Sequence, residues 1–275
     1  MPSNIALPGS PGPQLLLLSL PLLVLSEHRS RSHAGTMVFK MLSSIAFLVG
    51  PLRQVLSHDN SIPRYTRTIA AALILSLIGD FFLLPSPADF YTPPKPKPNT
   101  NKTPSVSVSF QLGVVAFAAA HIAYILAFLQ SSEQISWPPL LVTTLATLLL
   151  ARWLGVIYPS QAQETSLRSN VLNLAIPPDM KPLVTIYALI ISTMFGVAIG
   201  TSLPSSSSAV TGAPERVLPQ RVLGAAMFVV SDLFVAKDAF GRSSSASERA
   251  LLRIATGYAL YFWGQMVLAG TVEGW

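Results

Sequence analysis

Apolar residues gather along the chain into long, nearly unbroken runs separated by short polar connections. The runs show no strand-like alternation, and most are long enough to cross a bilayer. They lie at about 36–51, 66–84, 110–130, 138–158, 183–203, 219–238 and 250–271. An earlier run at 14–26 is shorter, is interrupted by Pro21 and has nearly the length of a signal-peptide core. It has no basic segment before it and no small-x-small cleavage site after it, so it reads as a retained first helix. The pattern predicts an all-α, polytopic transmembrane helix bundle of about eight helices. Residues 1–35 form an N-terminal segment with the first helix, and 36–275 form the membrane domain.

Two connections have a composition that helices do not tolerate. Residues 85–109 hold Pro85, Pro87, Pro93, Pro94, Pro96, Pro98 and Pro104 among lysines, and 202–220 are rich in serine with Pro204, Pro214 and Pro219. Both are expected to be mobile loops. Pro177, Pro178 and Pro182 bound the start of the sixth helix, because proline suits a first turn and not an interior.

Composition narrows the class. Hydrophobic residues make up 51% of the chain and charged residues 11%, and mean hydropathy is +0.52. Ordinary soluble domains carry about 25% charged residues, so this is an integral membrane protein; in a eukaryotic cell the endoplasmic reticulum is a natural location. The net charge of +6 does not indicate a nucleic-acid partner, because the basic residues sit in short connections, where they orient helices. With no cysteine there is no disulfide framework, thiolate nucleophile or Cys-ligated metal. If all eight runs span, every Lys and Arg except Arg53, Arg64, Arg67, Arg216 and Arg221 falls on the odd-numbered connections. That side is then cytosolic.

Three ionisable groups interrupt the apolar runs: Asp80, His121 and Asp232. A charge at the centre of a membrane helix costs about 2.5–3.5 kcal/mol on insertion scales, so such groups face a bundle interior and mark sites. Helical spacing gives each one companions. Ser76 shares a face with Asp80, Tyr124 with His121, and Ser231 stands beside Asp232, while Tyr258, Tyr261 and Gln265 form a stripe on the last helix. Asp232 lies deeper in its run than Asp80, which is close to Pro85. The competing readings are an Asp80 that reaches the interface, an Asp232 bonded only to Ser231 or a facing Tyr, and a His121 that is a neutral tie between helices. Lys40 and Arg152 read as cations snorkelling near helix ends. One His and two Asp on three helices lack the local spacing of metal-binding bundles, so no metal is expected. Gly196 and Gly200 form a GxxxG pattern, read as packing helices within the chain.

These pieces resemble the lysoplasmalogenase family, the YhhN-like eight-helix membrane proteins, from about residue 36 onward. The matching stretches are 76–80 (SLIGD), 117–124 (FAAAHIAY), 187–194, 224–232 and 261–265 (YFWGQ). The stretch around Lys40 matches the family's Lys-Pro second helix only loosely. The resemblance implies a hydrolase that cleaves the vinyl ether bond of lysoplasmalogen to a fatty aldehyde and glycerophosphoethanolamine or glycerophosphocholine. It implies a lysophospholipid substrate drawn from membrane lipids and requires no cofactor; headgroup preference and oligomeric state are left open. Vinyl ether hydrolysis needs proton transfer to carbon and a negative charge near the resulting oxocarbenium ion. Two carboxyls in a dry pocket divide that labour, one protonated and one ionised. Asp232, as the deeper group, would be the acid and Asp80 the ionised partner, although the roles can be exchanged. Ser76, His121, Tyr124, Tyr187, Ser231, Tyr261 and Gln265 would support them or bind substrate. Neutral isosteres at either Asp are expected to leave stability unchanged or higher. A proton-coupled or lipid transporter would use similar parts, but no clear internal repeat is seen; a noncatalytic scaffold is the third reading.

The orientation has an inexpensive test in the sequon Asn101-Lys102-Thr103. On a cytosolic connection Asn101 stays unmodified in a eukaryotic host. A glycosidase-sensitive mass shift that disappears in Asn101→Gln would reverse the orientation.

Overall fold

The computed structural model describes residues 5–57, 62–91, 106–132, 134–157, 170–202, 217–241 and 251–274. In chain order the helices are α1 (Gly12–Leu25), α2 (His33–Ser57), α3 (Arg64–Phe82), a single-turn α4 (Pro87–Tyr91), α5 (Val108–Gln130), α6 (Trp137–Leu154), α7 (Lys181–Gly200), α8 (Val217–Phe240) and α9 (Leu251–Gly270). A π-helical turn, Ser26–Ser30, continues α1, and a 3₁₀ turn, Thr271–Gly274, continues α9. Every apolar run has become a helix, so the all-α bundle holds. No strand occurs among the described residues, only an isolated bridge between Leu174 and Gly241.

Two details differ from the sequence expectation. The proline-rich connection contains α4, which begins at Pro87, a position where a missing N–H goes unnoticed. The serine-rich connection ends earlier than expected, because Pro219 falls in the first turn of α8. Asn101, the lysines at 95, 97 and 102, and the serines of 205–208 lie outside the described residues.

Five helices, α2, α3, α5, α6 and α7, are long and apolar enough to cross a membrane. α8 and α9 are as long, with 24 and 20 residues. They carry more polar groups along their length, Arg221 and Asp232 in α8 and Tyr258, Tyr261 and Gln265 in α9. α1 has 14 residues, short of the roughly 20 needed to span alone.

The packing order explains where polar groups can go. α2, α3, α5, α7, α8 and α9 contact one another in sequence, and α9 returns to α2 to close a ring of six. α1 lodges against α2 and α9. Its Leu16 and Leu23 are fully buried, and the Ser19 and Ser43 hydroxyls share a 2.8 Å hydrogen bond. α6 packs chiefly on α7 and leaves Leu141, Val142, Leu145 and Leu149 exposed, as a lipid-facing helix should.

The even-numbered end of the ring is closed by polar ties. Gln220 donates to the carbonyls of Ala6 and Val267 at 2.6 and 2.7 Å and accepts from the Ala6 N–H at 3.0 Å. The fully buried Arg221 lies over the Tyr65 ring, 4.6 Å from its centroid, and Tyr65 and Thr271 share a 2.6 Å bond. The two candidate carboxyls, Asp80 and Asp232, lie toward the opposite end.

The GxxxG pattern packs α7 on α6. A Cβ at Gly196 would fall 2.1 Å from Thr144 Oγ1 and 2.8 Å from the Leu140 carbonyl, and one at Gly200 would fall 2.8 Å from Leu140 Cβ. Gly196→Ala should therefore destabilise the protein by about 1–3 kcal/mol, read as a lower melting temperature in detergent. Gly257→Ala, whose Cβ would meet Phe234 Cβ at 3.3 Å, should cost clearly less.

Candidate functional site

Asp80 sits two residues before the end of α3 and is 2% exposed. It faces α2 on one side and α9 on the other. Its Oδ2 accepts from Ser44 Oγ at 2.8 Å and from the Tyr261 hydroxyl at 2.7 Å, and its Oδ1 lies 3.6 Å from Lys40 Nζ. The network continues inward. Gln265 Nε2 donates to the Tyr261 oxygen at 3.3 Å, and Tyr124 donates to Gln265 Oε1 at 2.6 Å. Ser76 donates to the Ala72 carbonyl of its own helix and stands next to Tyr124.

Asp232 belongs to a second network. The Tyr187 hydroxyl of α7 donates to Asp232 Oδ2 at 2.6 Å, and His121 Nε2 of α5 lies 3.1 Å from the same hydroxyl. Tyr187 has one proton and directs it at Asp232, so His121 Nε2–H is the donor to Tyr187 and Nδ1 is left as the bare nitrogen. His121 is fully buried, and its Nδ1 has no hydrogen-bond partner among the described residues. No Lys or Arg pairs with Asp232 among those residues. Ser231 is not part of this network: its hydroxyl donates to the Phe228 carbonyl of its own helix at 2.9 Å.

Aromatic rings join the two networks. The Phe228 ring lies 5.0 Å edge-on from His121 and 5.6 Å from Tyr261, and Tyr261 also meets Phe117 edge-on at 5.8 Å. Edge-on contacts of this kind hold the rings at fixed angles. Gly79 makes the approach of α3 to α5 possible, since a Cβ there would stand 2.7 Å from the Phe117 ring. Both carboxyls lie toward the odd-numbered connections, near the end of α3, the start of α7 and the last third of α8. No group of three or more His, Asp or Glu arranged for a metal occurs among the described residues.

One expectation is corrected by this geometry. Lys40 does not snorkel: it is 8% exposed and paired with Asp80 inside the ring. Enclosure does not follow depth in the apolar run. Asp80 is the enclosed one, held between α2, α5 and α9, whereas Asp232 is half-buried. Asp80 faces the bundle interior, as expected, because its hydrogen-bond donors come from α2 and α9 within the ring. Ser44 was missed altogether, although it stands one helical turn from Lys40 and shares its face.

The buried pair also changes the stability expected of variants. Removing one partner of a buried ion pair strands the other charge and costs about 3–5 kcal/mol. Lys40→Met and Asp80→Asn should each lower the melting temperature, and the double variant should recover most of the loss. Asp232→Asn, with no cation partner, should melt like the unaltered protein. Additive losses in the double variant would show that Lys40 and Asp80 are not coupled.

With this geometry in view, the comparisons with known proteins are few. The sequence model of the YhhN family matches residues 35–272. No curated protein and no solved structure matches.

Proposed function

The chain belongs to the YhhN family of membrane proteins, which includes lysoplasmalogenases, and from that membership and the two carboxyl networks we propose that it hydrolyses the vinyl ether bond of lysoplasmalogen. The observation that carries this reading is the difference between the two carboxyls. Asp80 stands beside an ammonium and accepts two hydroxyl hydrogen bonds, the surroundings of a carboxylate that carries charge. Asp232 has the neutral Tyr187 phenol as its partner, the surroundings of a carboxyl able to hold a proton. The roles are those suggested by the sequence, but the reason is the placement of Lys40 and not depth.

The reaction follows from this division. Asp232 transfers its proton to the outer carbon of the C=C–O unit, so a C–H bond forms as the carboxyl O–H breaks. The π electrons leave a cation shared between carbon and the ether oxygen. Asp80 offsets that positive charge, as the ionised carboxylate does in glycosidases. Water then adds to the cation and its proton passes to a carboxylate. The hemiacetal collapses to a fatty aldehyde and the glycerophospho-alcohol. The His121–Tyr187–Asp232 chain offers a route for returning the proton to Asp232. Gln265 and Tyr124 fix the Tyr261 hydroxyl on Asp80. The substrate is a lysophospholipid taken from the membrane, and the chemistry requires neither metal nor cofactor.

The test is aldehyde release by the purified protein from lysoplasmalogen, compared with the ester-linked and alkyl-ether lysolipids. Only the vinyl ether should react, because only it has an electron-rich alkene carbon to protonate. Fatty acid release from the ester at a similar rate would refute the chemistry, and no aldehyde at all would turn attention to transport or a scaffold. Asp232→Asn should lose at least about 100-fold in turnover, since general acid catalysis contributes roughly 10² to 10⁴. Asp80→Asn should lose a comparable amount when assayed below its melting temperature. Tyr261→Phe should lose less, because Ser44 and Lys40 remain beside Asp80.

A further inference from the structure

One helical turn before Lys40 on α2, and on the same face, lies Thr36. It is 3% exposed, and its hydroxyl has no hydrogen-bond partner among the described residues. A buried hydroxyl without a partner is costly, above all in a membrane. Lys40 has donors to spare as well. Its contact with Asp80 Oδ1, at 3.6 Å, is longer than the roughly 2.9 Å of a short charge-assisted hydrogen bond and engages at most part of an ammonium that carries three N–H donors. Asp80 meanwhile takes its hydrogen bonds from Ser44 and Tyr261. Two donor groups, one of them cationic, thus lie one turn apart on the inner face of α2 with donor capacity left over.

Their order along the helix has chemical meaning. α2 begins at His33, so Thr36 is nearest that membrane surface, Lys40 is next, and Ser44 with Asp80 follows. A single-chain phospholipid entering from that surface presents its parts in the same order, phosphate outermost, then the glycerol ether, then the chain.

We propose that Thr36 and Lys40 bind the phosphate of the lipid substrate and so hold the ether bond at Asp80. This deepens the functional reading above and rests on its choice of a lysophospholipid. The ammonium then serves two anions, the carboxylate on one side and the phosphodiester on the other. The Thr36 hydroxyl donates to a phosphate oxygen. Recognition is of the phosphate and not of the amine beyond it, so ethanolamine and choline lipids are both accepted.

Binding can be tested without turnover. The purified full-length chain is melted in detergent with an alkyl-ether lysophospholipid, with the matching alkylglycerol that lacks phosphate, and with inorganic phosphate. The lysophospholipid should stabilise the protein more than the alkylglycerol does. Thr36→Val should reduce that excess, and Lys40→Gln should abolish it, each shift being measured against the variant's own ligand-free melting temperature. The apparent affinity lost with the charged contact should be about ten- to hundred-fold. Thr36→Val exchanges a hydroxyl for a methyl of similar size, so it decides the matter if Lys40→Gln does not fold. Equal stabilisation by the two lipids, or an undiminished excess in Thr36→Val and Lys40→Gln, would overturn the proposal. An equal shift from inorganic phosphate would overturn the lipid assignment in favour of a free-phosphate site. Because none of these ligands is cleaved, absence of aldehyde from lysoplasmalogen would defeat the reaction and leave the binding result standing.

Discussion

A hydrocarbon interior has no water to satisfy polar groups, and in this protein that constraint falls hardest on the buried pair of Lys40 and Asp80. Neither charge is tolerable alone at that depth. Held 3.6 Å apart with Ser44 and Tyr261 completing the carboxylate, they fix α2, α3 and α9 at one level and in one rotation. The ring of six helices is the arrangement that lets all three faces meet while each helix still turns apolar residues outward.

The second network depends on the first through packing and not through a shared hydrogen bond. Tyr261 bonds Asp80 and leans on Phe117 and Phe228, and Phe228 leans on His121. His121 holds Tyr187, which holds Asp232. The aromatic cluster keeps two carboxyls in different surroundings within one enclosure. The surroundings differ because, among the described residues, only Asp80 has a cation beside it. The other end of the ring carries its own polar ties, Gln220 to Ala6 and Arg221 to Tyr65. These close the bundle at the end away from the two carboxyls.

Much of the helix inventory was legible from hydropathy, because a helix that faces lipid must be apolar for most of its length. Asp80, His121 and Asp232 were legible for the converse reason: an ionisable residue in such a run is costly and conspicuous. Tyr261 and Gln265 could be read from a stripe at helical spacing. Ser76 and Ser231 were marked by the same rule: Ser76 meets Tyr124 of the facing helix besides bonding its own, whereas the Ser231 hydroxyl bonds a carbonyl of its own helix, a local option that spacing cannot distinguish from a contact across the bundle. Lys40 was misread because a lysine seven residues after a helix start is compatible with snorkelling or with burial, and only a facing carboxylate on another helix decides between them.

Sequence alone determined the elements of this protein, because their lengths, ends and apolar character follow from neighbouring residues and the thickness of a bilayer. It also determined which ionisable groups had to turn inward, since lipid leaves them no other place. Which helix stands beside which was decided only by the tertiary structure. The pairing of Lys40 with Asp80, the separate network of Asp232 with Tyr187 and the greater enclosure of Asp80 all join residues far apart in the chain, and such pairings depend on helix rotation and order around the ring, which hydropathy does not encode.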